Sequence, residues 1–293
     1  MLELPWYVYA LLGAFFVALA SVLEKKILLH DDPLHYSGSV ATVVGLLSLP
    51  LLFFVEWSSL SPLSFGFMYI ISLLAMGGFY LTSHAMKGLH AGELSIILSL
   101  TPAVTALFAF LFLAESLTER AFVGVIVIVL GLIVLELPSL WKTRHAQGFT
   151  RKIKYLIAAG LGIGIYAVSS VFDRIVLGHH GVPVFDFLAI VQSVSLFNYL
   201  VFSFVREKQD HVLTASFFKQ PIKITVISLC IFASRVMHAN AISLAYVALA
   251  SALKRTSTLF TIVLAKSYLH ERGVGHKLLA AFIIILGVLL VIL

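Results

Sequence analysis

Apolar runs long enough to cross a bilayer follow one another along the whole chain, and this constrains the fold more than any other feature. A bilayer core takes roughly 20 apolar residues per helix. Runs of that kind fall at 6–28, 36–55, 66–87, 93–114, 120–137, 155–177, 185–205, 222–245, 249–269 and 274–293. Any one of them would suit a buried helix of a soluble protein. Ten in succession, joined by short loops, would not. Lipid offers no partner to a free backbone N–H or C=O, so each run must be helical. The expected class is all-α: a polytopic membrane protein with ten transmembrane helices.

The supply of charge agrees. A soluble domain carries about 25% charged residues, whereas this chain has 12%, against 60% hydrophobic. The formal charge of +6 invites a nucleic-acid reading, but the basic residues sit mostly in short loops between apolar runs. That distribution suits a membrane surface, and no nucleic-acid partner is expected. The single cysteine, Cys230, lies in an apolar run. It allows neither an intrachain disulfide nor a cysteine-based metal cluster. Ala18-Leu19-Ala20 imitates a signal-peptidase site, but the preceding segment has Glu3 and no Lys or Arg, so the first run reads as a retained span.

The longest polar stretch, Pro138 to Lys154, falls near the middle and reads as a linker loop between 1–137 and 155–293. Those two segments repeat one another. Ser21-Val22-Leu23-Glu24-Lys25-Lys26-Ile27-Leu28 matches Ser170-Val171-Phe172-Asp173-Arg174-Ile175-Val176-Leu177 at an offset of 149. Glu115 matches Glu271, and Leu130-Gly131 matches Leu286-Gly287, at an offset of 156. Five spans per half is an odd number, so the second half should enter the membrane upside down. Inverted five-helix repeats of this kind are a construction of secondary transporters.

The chain resembles the ten-helix EamA-like members of the drug/metabolite transporter superfamily. The resemblance rests on the two halves and on the signature ending each. The first reads Leu100-Thr101-Pro102 through Glu115-Ser116-Leu117, then Gly124 and Gly131. The second reads Thr256-Ser257-Thr258 through Glu271, then Gly287. It implies proton-coupled, exchange or facilitated movement of a small metabolite through a central cavity, without ATP hydrolysis. No Walker-type Gly-rich loop is present, no His-Glu-x-x-His and no Gly-x-Ser-x-Gly, so neither an enzyme nor a cofactor or metal site is expected.

Fourteen Lys and Arg residues fall in or beside the odd-numbered loops, and only Arg120 beside an even one. The positive-inside rule then places the odd loops in the cytoplasm and both termini outside a plasma (inner) membrane. Members of the resembled family usually place both termini inside.

Ionisable residues within spans are costly and face a cavity or one another. Lys254-Arg255 in the ninth span reads as an anchor for a carboxylate or phosphate, or as a structurally paired cation. The pair resembles the Lys-Arg of the penultimate helix in the triose-phosphate branch of the superfamily, although no Lys or Arg in the fourth span completes that pattern. Arg235 and His238, three apart on the eighth span, share a helical face and either add anion affinity or are neutralised by an acid. Glu24 and Asp173 occupy equivalent positions and read as proton carriers or as charge partners of Arg235, Lys254 or Lys25. Tyr80 and His84, with Asn240 at the position equivalent to His84, and Gln192 with Ser195 and Tyr199, form polar stripes that either line a cavity or bond between helices. Pro102 should kink the fourth span by leaving the Leu98 carbonyl without its helical donor. Gly160 and Gly164 suggest a close helix–helix contact. The expected partners are lipid, a small anionic or zwitterionic solute, and protons or a counter-substrate. The 23 Phe residues keep an amphipathic, drug-like solute as the alternative.

Overall fold

Proline and a capping side chain start several of the helices, as local chemistry requires. In the computed structural model, which describes residues 4–28, 31–89, 97–98, 100–143, 149–205, 213–257, 259–261, 264 and 275–292, Asp32 caps α2 by accepting from Leu34 N at 2.8 Å, with Pro33 in the first turn. Ser61 caps α3 by accepting from Ser64 N at 3.1 Å, with Pro62 behind it. A proline at this position costs no hydrogen bond, because the first N–H groups of a helix have no intrahelical acceptor.

The long helices are α1 (Trp6–Leu28), α2 (Pro33–Ser48), α3 (Pro62–Gly88), α4 (Thr101–Leu113) and α5 (Glu119–Thr143). They continue as α6 (Phe149–Arg174), α7 (Val184–Val205), α8 (Pro221–Leu244), α9 (Val247–Arg255) and α10 (Gly275–Ile292). A 3-10 segment, Leu49–Phe54, prolongs α2, and a π turn, Ile175–His179, prolongs α6. Among the described residues, six helices are long and apolar enough to cross a membrane, and Thr101–Leu113 and Phe282–Ile292 are shorter apolar helices. The fold is all-α and multi-pass. Its outer wall is apolar: Phe110, Phe112, Phe218, Ile222 and Phe282 are all exposed, as side chains solvated by lipid can be.

Three expectations need correction. The linker is not a loop over 138–154, because α5 runs on to Thr143 and α6 begins at Phe149. Polarity marks where a helix leaves the bilayer, not where it ends. The ninth span, read as continuous, is broken by a turn at Thr256 after α9, and in the fourth, which carries Pro102, a turn at Leu100 precedes α4. Pro102 has no N–H to give the Leu98 carbonyl, which accounts for the break in the fourth. In the ninth, Thr256 N and Thr256 Oγ1 both donate to Leu253 O, at 3.0 and 2.6 Å. Finally, Gly160 and Gly164 touch nothing, since a Cβ at either would meet no atom within 4 Å. The contact glycine is Gly162, on the opposite side of α6, whose added Cβ would lie 2.9 Å from Thr82 Cγ2.

Helices of the first half pack chiefly on helices of the second: α1 on α8, α2 on α7, α3 on α6, α4 on α9 and α5 on α10. Glycines set the closest approaches. A Cβ on Gly45 of α2 would lie 2.5 Å from Leu196 Cβ of α7. On Gly287 of α10 it would lie 2.7 Å from the backbone N of Ile128 and 2.9 Å from Gly124 O, both on α5. Between α1, α2 and α8 a smaller core gathers around Tyr36, Ile224 and Ile227, with Cys230 partly buried at its edge.

Candidate functional site

A cavity of about 60 Å³ opens between α2, α3, α7 and α8. Val40, Val44, Met76, Phe79 and Ile231 form its apolar side; Ser37, Gln192, Ser195, Tyr199 and Arg235 form its polar side. The elements around it are tied by hydrogen bonds that leave polar groups over. Asn198 Nδ2 of α7 donates to Ser72 Oγ of α3 at 2.8 Å, and Ser195 Oγ donates back to Val191 O at 2.7 Å. Gln192, 3% exposed, keeps its Nε2 without any partner. A buried amide nitrogen left unpaired is costly and calls for an explanation, such as a functional role or a bound water.

Arg235 joins this cavity to a cluster of charge. Asp173 of α6 lies within electrostatic range of both Arg235 and Lys254. His238 lies within range of Lys254, Arg255 and Arg235, and its Nδ1 is buried without a partner. Tyr166 of α6 approaches Arg235, Arg255 and Glu24, and its hydroxyl is 3.5 Å from Thr82 Oγ1 of α3. Gly78 makes room for that ring, since a Cβ there would lie 3.0 Å from Tyr166 Cε1. Arg255 donates from Nη2 to Thr101 Oγ1 at 2.8 Å. Asp173 Oδ1, buried, has no hydrogen-bond partner. Arg235 and Lys254 make neither a hydrogen bond nor an ion pair among the described residues.

The residues singled out in the sequence therefore divide. Arg235, His238, Lys254, Arg255, Asp173 and Gln192 converge. Glu24 faces Tyr36 and Tyr166; the side chain of Lys25, one of the cations named for it, lies outside the described residues. Tyr80 and His84 stack on each other, with ring centroids 6.2 Å apart, and His84 also meets Tyr155 of α6 at 5.3 Å. They join α3 to α6, and Tyr80 is exposed. Asn240 spends its side chain within its own helix, donating to Val236 O at 2.8 Å. Among the described residues, no three His, Cys, Asp or Glu side chains gather to hold a metal ion.

Residues 4–137 match the model of the EamA-like transporter family. Residues 4–137 are EamA-like, of the drug/metabolite transporter superfamily. A solved crystal structure superposes on this chain with a TM-score of 0.74 at 16% identity, covering 98% of this chain and 95% of that one. At that identity the likeness concerns the fold alone. No curated protein matches the sequence. The family is one of transporters, which implies a membrane transporter of the drug/metabolite type.

One constellation of this protein escaped sequence reading. Arg174, at the end of α6, donates from Nε to Glu115 Oε1 at 2.8 Å, and from Nη1 to Ile242 O and Ser243 O at 2.7 and 3.2 Å. Glu115 Oε2 in turn accepts from Val247 N, the first residue of α9, at 3.3 Å. The pair thus ties the end of α6 and the α4–α5 connection to the break between α8 and α9. Gly178 in the π turn makes space for it, because a Cβ there would lie 2.6 Å from Arg174 Nη1. Glu115 belongs to the signature ending the first half, but a contact across 59 positions leaves no local pattern.

Proposed function

We propose that the protein is a secondary transporter that moves a small anionic or zwitterionic metabolite by alternating access between its two halves. The observation that carries this reading is the state of Arg235, on the cavity wall, and of Lys254, within electrostatic range of it: neither is hydrogen-bonded or ion-paired among the described residues. A charge removed from water without a partner is expensive, and a ligand oxyanion would relieve both at once. Asp173 offsets part of that charge and offers a cationic group of a zwitterion its own partner. Val40, Val44, Phe79 and Ile231 supply an apolar wall for the rest of the solute.

The helix pairing supports an inverted repeat. Exchanging α1 with α6, α2 with α7, α3 with α8, α4 with α9 and α5 with α10 carries the principal contacts into one another, α1–α8 into α6–α3 and α1–α9 into α6–α4. Residues 1–137 and 155–293 would then rock about the cavity, with Glu24 and Asp173 as the carboxyl groups available for a coupling proton. The basic residues of the odd-numbered loops support an orientation with those loops in the cytoplasm and both termini outside a plasma (inner) membrane.

The test is a thermal-shift series on the purified protein in detergent, with amino acids, nucleotides, sugar phosphates and lipophilic cations. A ligand that binds only the folded state raises Tm with its concentration. Stabilisation by an anionic class, lost in Lys254→Ala and Arg235→Ala, and uptake of that compound into sealed vesicles are the expected results. Stabilisation by lipophilic cations alone would reassign the site to a drug-type exporter, and chemical conversion of the added compound would make the protein an enzyme.

A further inference from the structure

Pro102 has no N–H, so the carbonyl of Leu98, four residues back, is deprived of its helical donor. Thr101 supplies one: its Oγ1 donates to Leu98 O at 2.6 Å. A hydroxyl carries a single hydrogen, and a carbonyl can only accept, so the proton of Thr101 is committed there. What remains on Oγ1 is lone-pair density, and Arg255 Nη2 of α9 donates into it at 2.8 Å. Thr101 is buried, which keeps water from competing for either bond.

The contrast with Arg174 gives this arrangement its meaning. Arg174 is held by a carboxylate and two carbonyls, so its charge is cancelled and three of its five N–H donors are used. Among the described residues, Arg255 is held by one neutral oxygen. It keeps its full charge, and four of its five N–H donors have no hydrogen-bond partner there.

We propose that Thr101 is the positioning residue for Arg255: its hydroxyl, oriented by the carbonyl that Pro102 orphans, holds one end of the guanidinium and leaves the rest for a substrate oxyanion. The inference rests on the anion-transport reading for the identity of the ligand, but not for the positioning itself. A fixed fork meets a carboxylate or phosphate in two parallel hydrogen bonds, whereas a free one must be ordered first.

The test separates the two. The full-length protein in detergent is treated with phenylglyoxal, which attacks guanidinium groups, and modification of Arg255 is followed by peptide mass spectrometry with Arg174 as internal reference. Thr101→Val removes the contact but also strands the Leu98 carbonyl. The double variant Thr101→Val/Pro102→Ala restores a helical donor to that carbonyl and loses only the hold on Arg255. In both, Arg255 should react about tenfold faster, the factor that one hydrogen bond to a charged group carries, while Thr101→Ser reacts at the wild-type rate. Wild-type reactivity of Arg255 in the double variant overturns the proposal. Protection of Arg255 by inorganic phosphate or citrate is read in the same samples. Faster modification in the variants without protection by either anion in the wild type would leave Thr101 as the positioning residue and defeat the anion reading.

Discussion

Three arginines lie in or beside the bundle core, and their surroundings assign them different work. Among the described residues, Arg174 is held at two nitrogens and paired with a carboxylate, Arg255 is held at one nitrogen, and Arg235 is held at none. Removing one member of a buried pair strands the other, which costs about 3–5 kcal/mol. Glu115→Ala should therefore lower Tm sharply, with a loss of stability near the bottom of that range because Arg174 retains two carbonyls. Combining Glu115→Leu with Arg174→Met should be less damaging than Glu115→Ala, since no charge is then left behind. An unchanged Tm in Glu115→Ala would mean that the pair contributes nothing. At this scale the sequence was partly legible. Mid-span charge pointed to Arg235, Lys254, Arg255 and Asp173 because the cost of burying an ion is a property of one residue and its neighbours in the chain. It could not tell a silent arginine from a free one, because that depends on a carboxylate 59 positions away.

At the scale of helices, the glycines make paired predictions. Gly287→Ala would push a Cβ against backbone atoms of Ile128 and Gly124, which cannot rotate away. It should force α5 and α10 apart at a cost of about 1–3 kcal/mol. Gly160→Ala meets open space and should be neutral or stabilising by up to about 1 kcal/mol, the helix propensity gained. Thermal unfolding of the two variants in the same detergent compares them directly, and equal losses would contradict the packing described. The sequence motif Gly160–Gly164 named the right helix and the wrong face. Spacing selects a stripe, but only the partner decides which stripe is covered, and α3 covers Gly162. Helix starts at Asp32-Pro33 and Ser61-Pro62 were readable because caps are local. The break at Thr256 was not, for it carries no proline and depends on a threonine hydroxyl turning back on its own helix.

For the molecule as a whole, the distribution of basic residues yields a proposed orientation that runs against the usual one of the family. Alkaline phosphatase fused after Leu293 should be active, and a fluorescent protein that matures only in the cytoplasm should stay dark there. The opposite pattern would turn the odd-numbered loops outward. Membrane character was legible from composition alone, since it is a sum over residues. The pairing of halves was not, because contacts between distant helices are written in faces that every apolar span presents alike. That pairing also bears on synthesis. α1 ends at Leu28 and the helix it packs against starts at Pro221; α5 ends at Thr143 and its partner starts at Gly275. The first five helices therefore leave the ribosome with their main contact surfaces uncovered and must wait in the bilayer until the remainder has been translated. A premature stop codon anywhere in the second half would release a product that retains the early helices but lacks some of their partners, a natural target for membrane quality control.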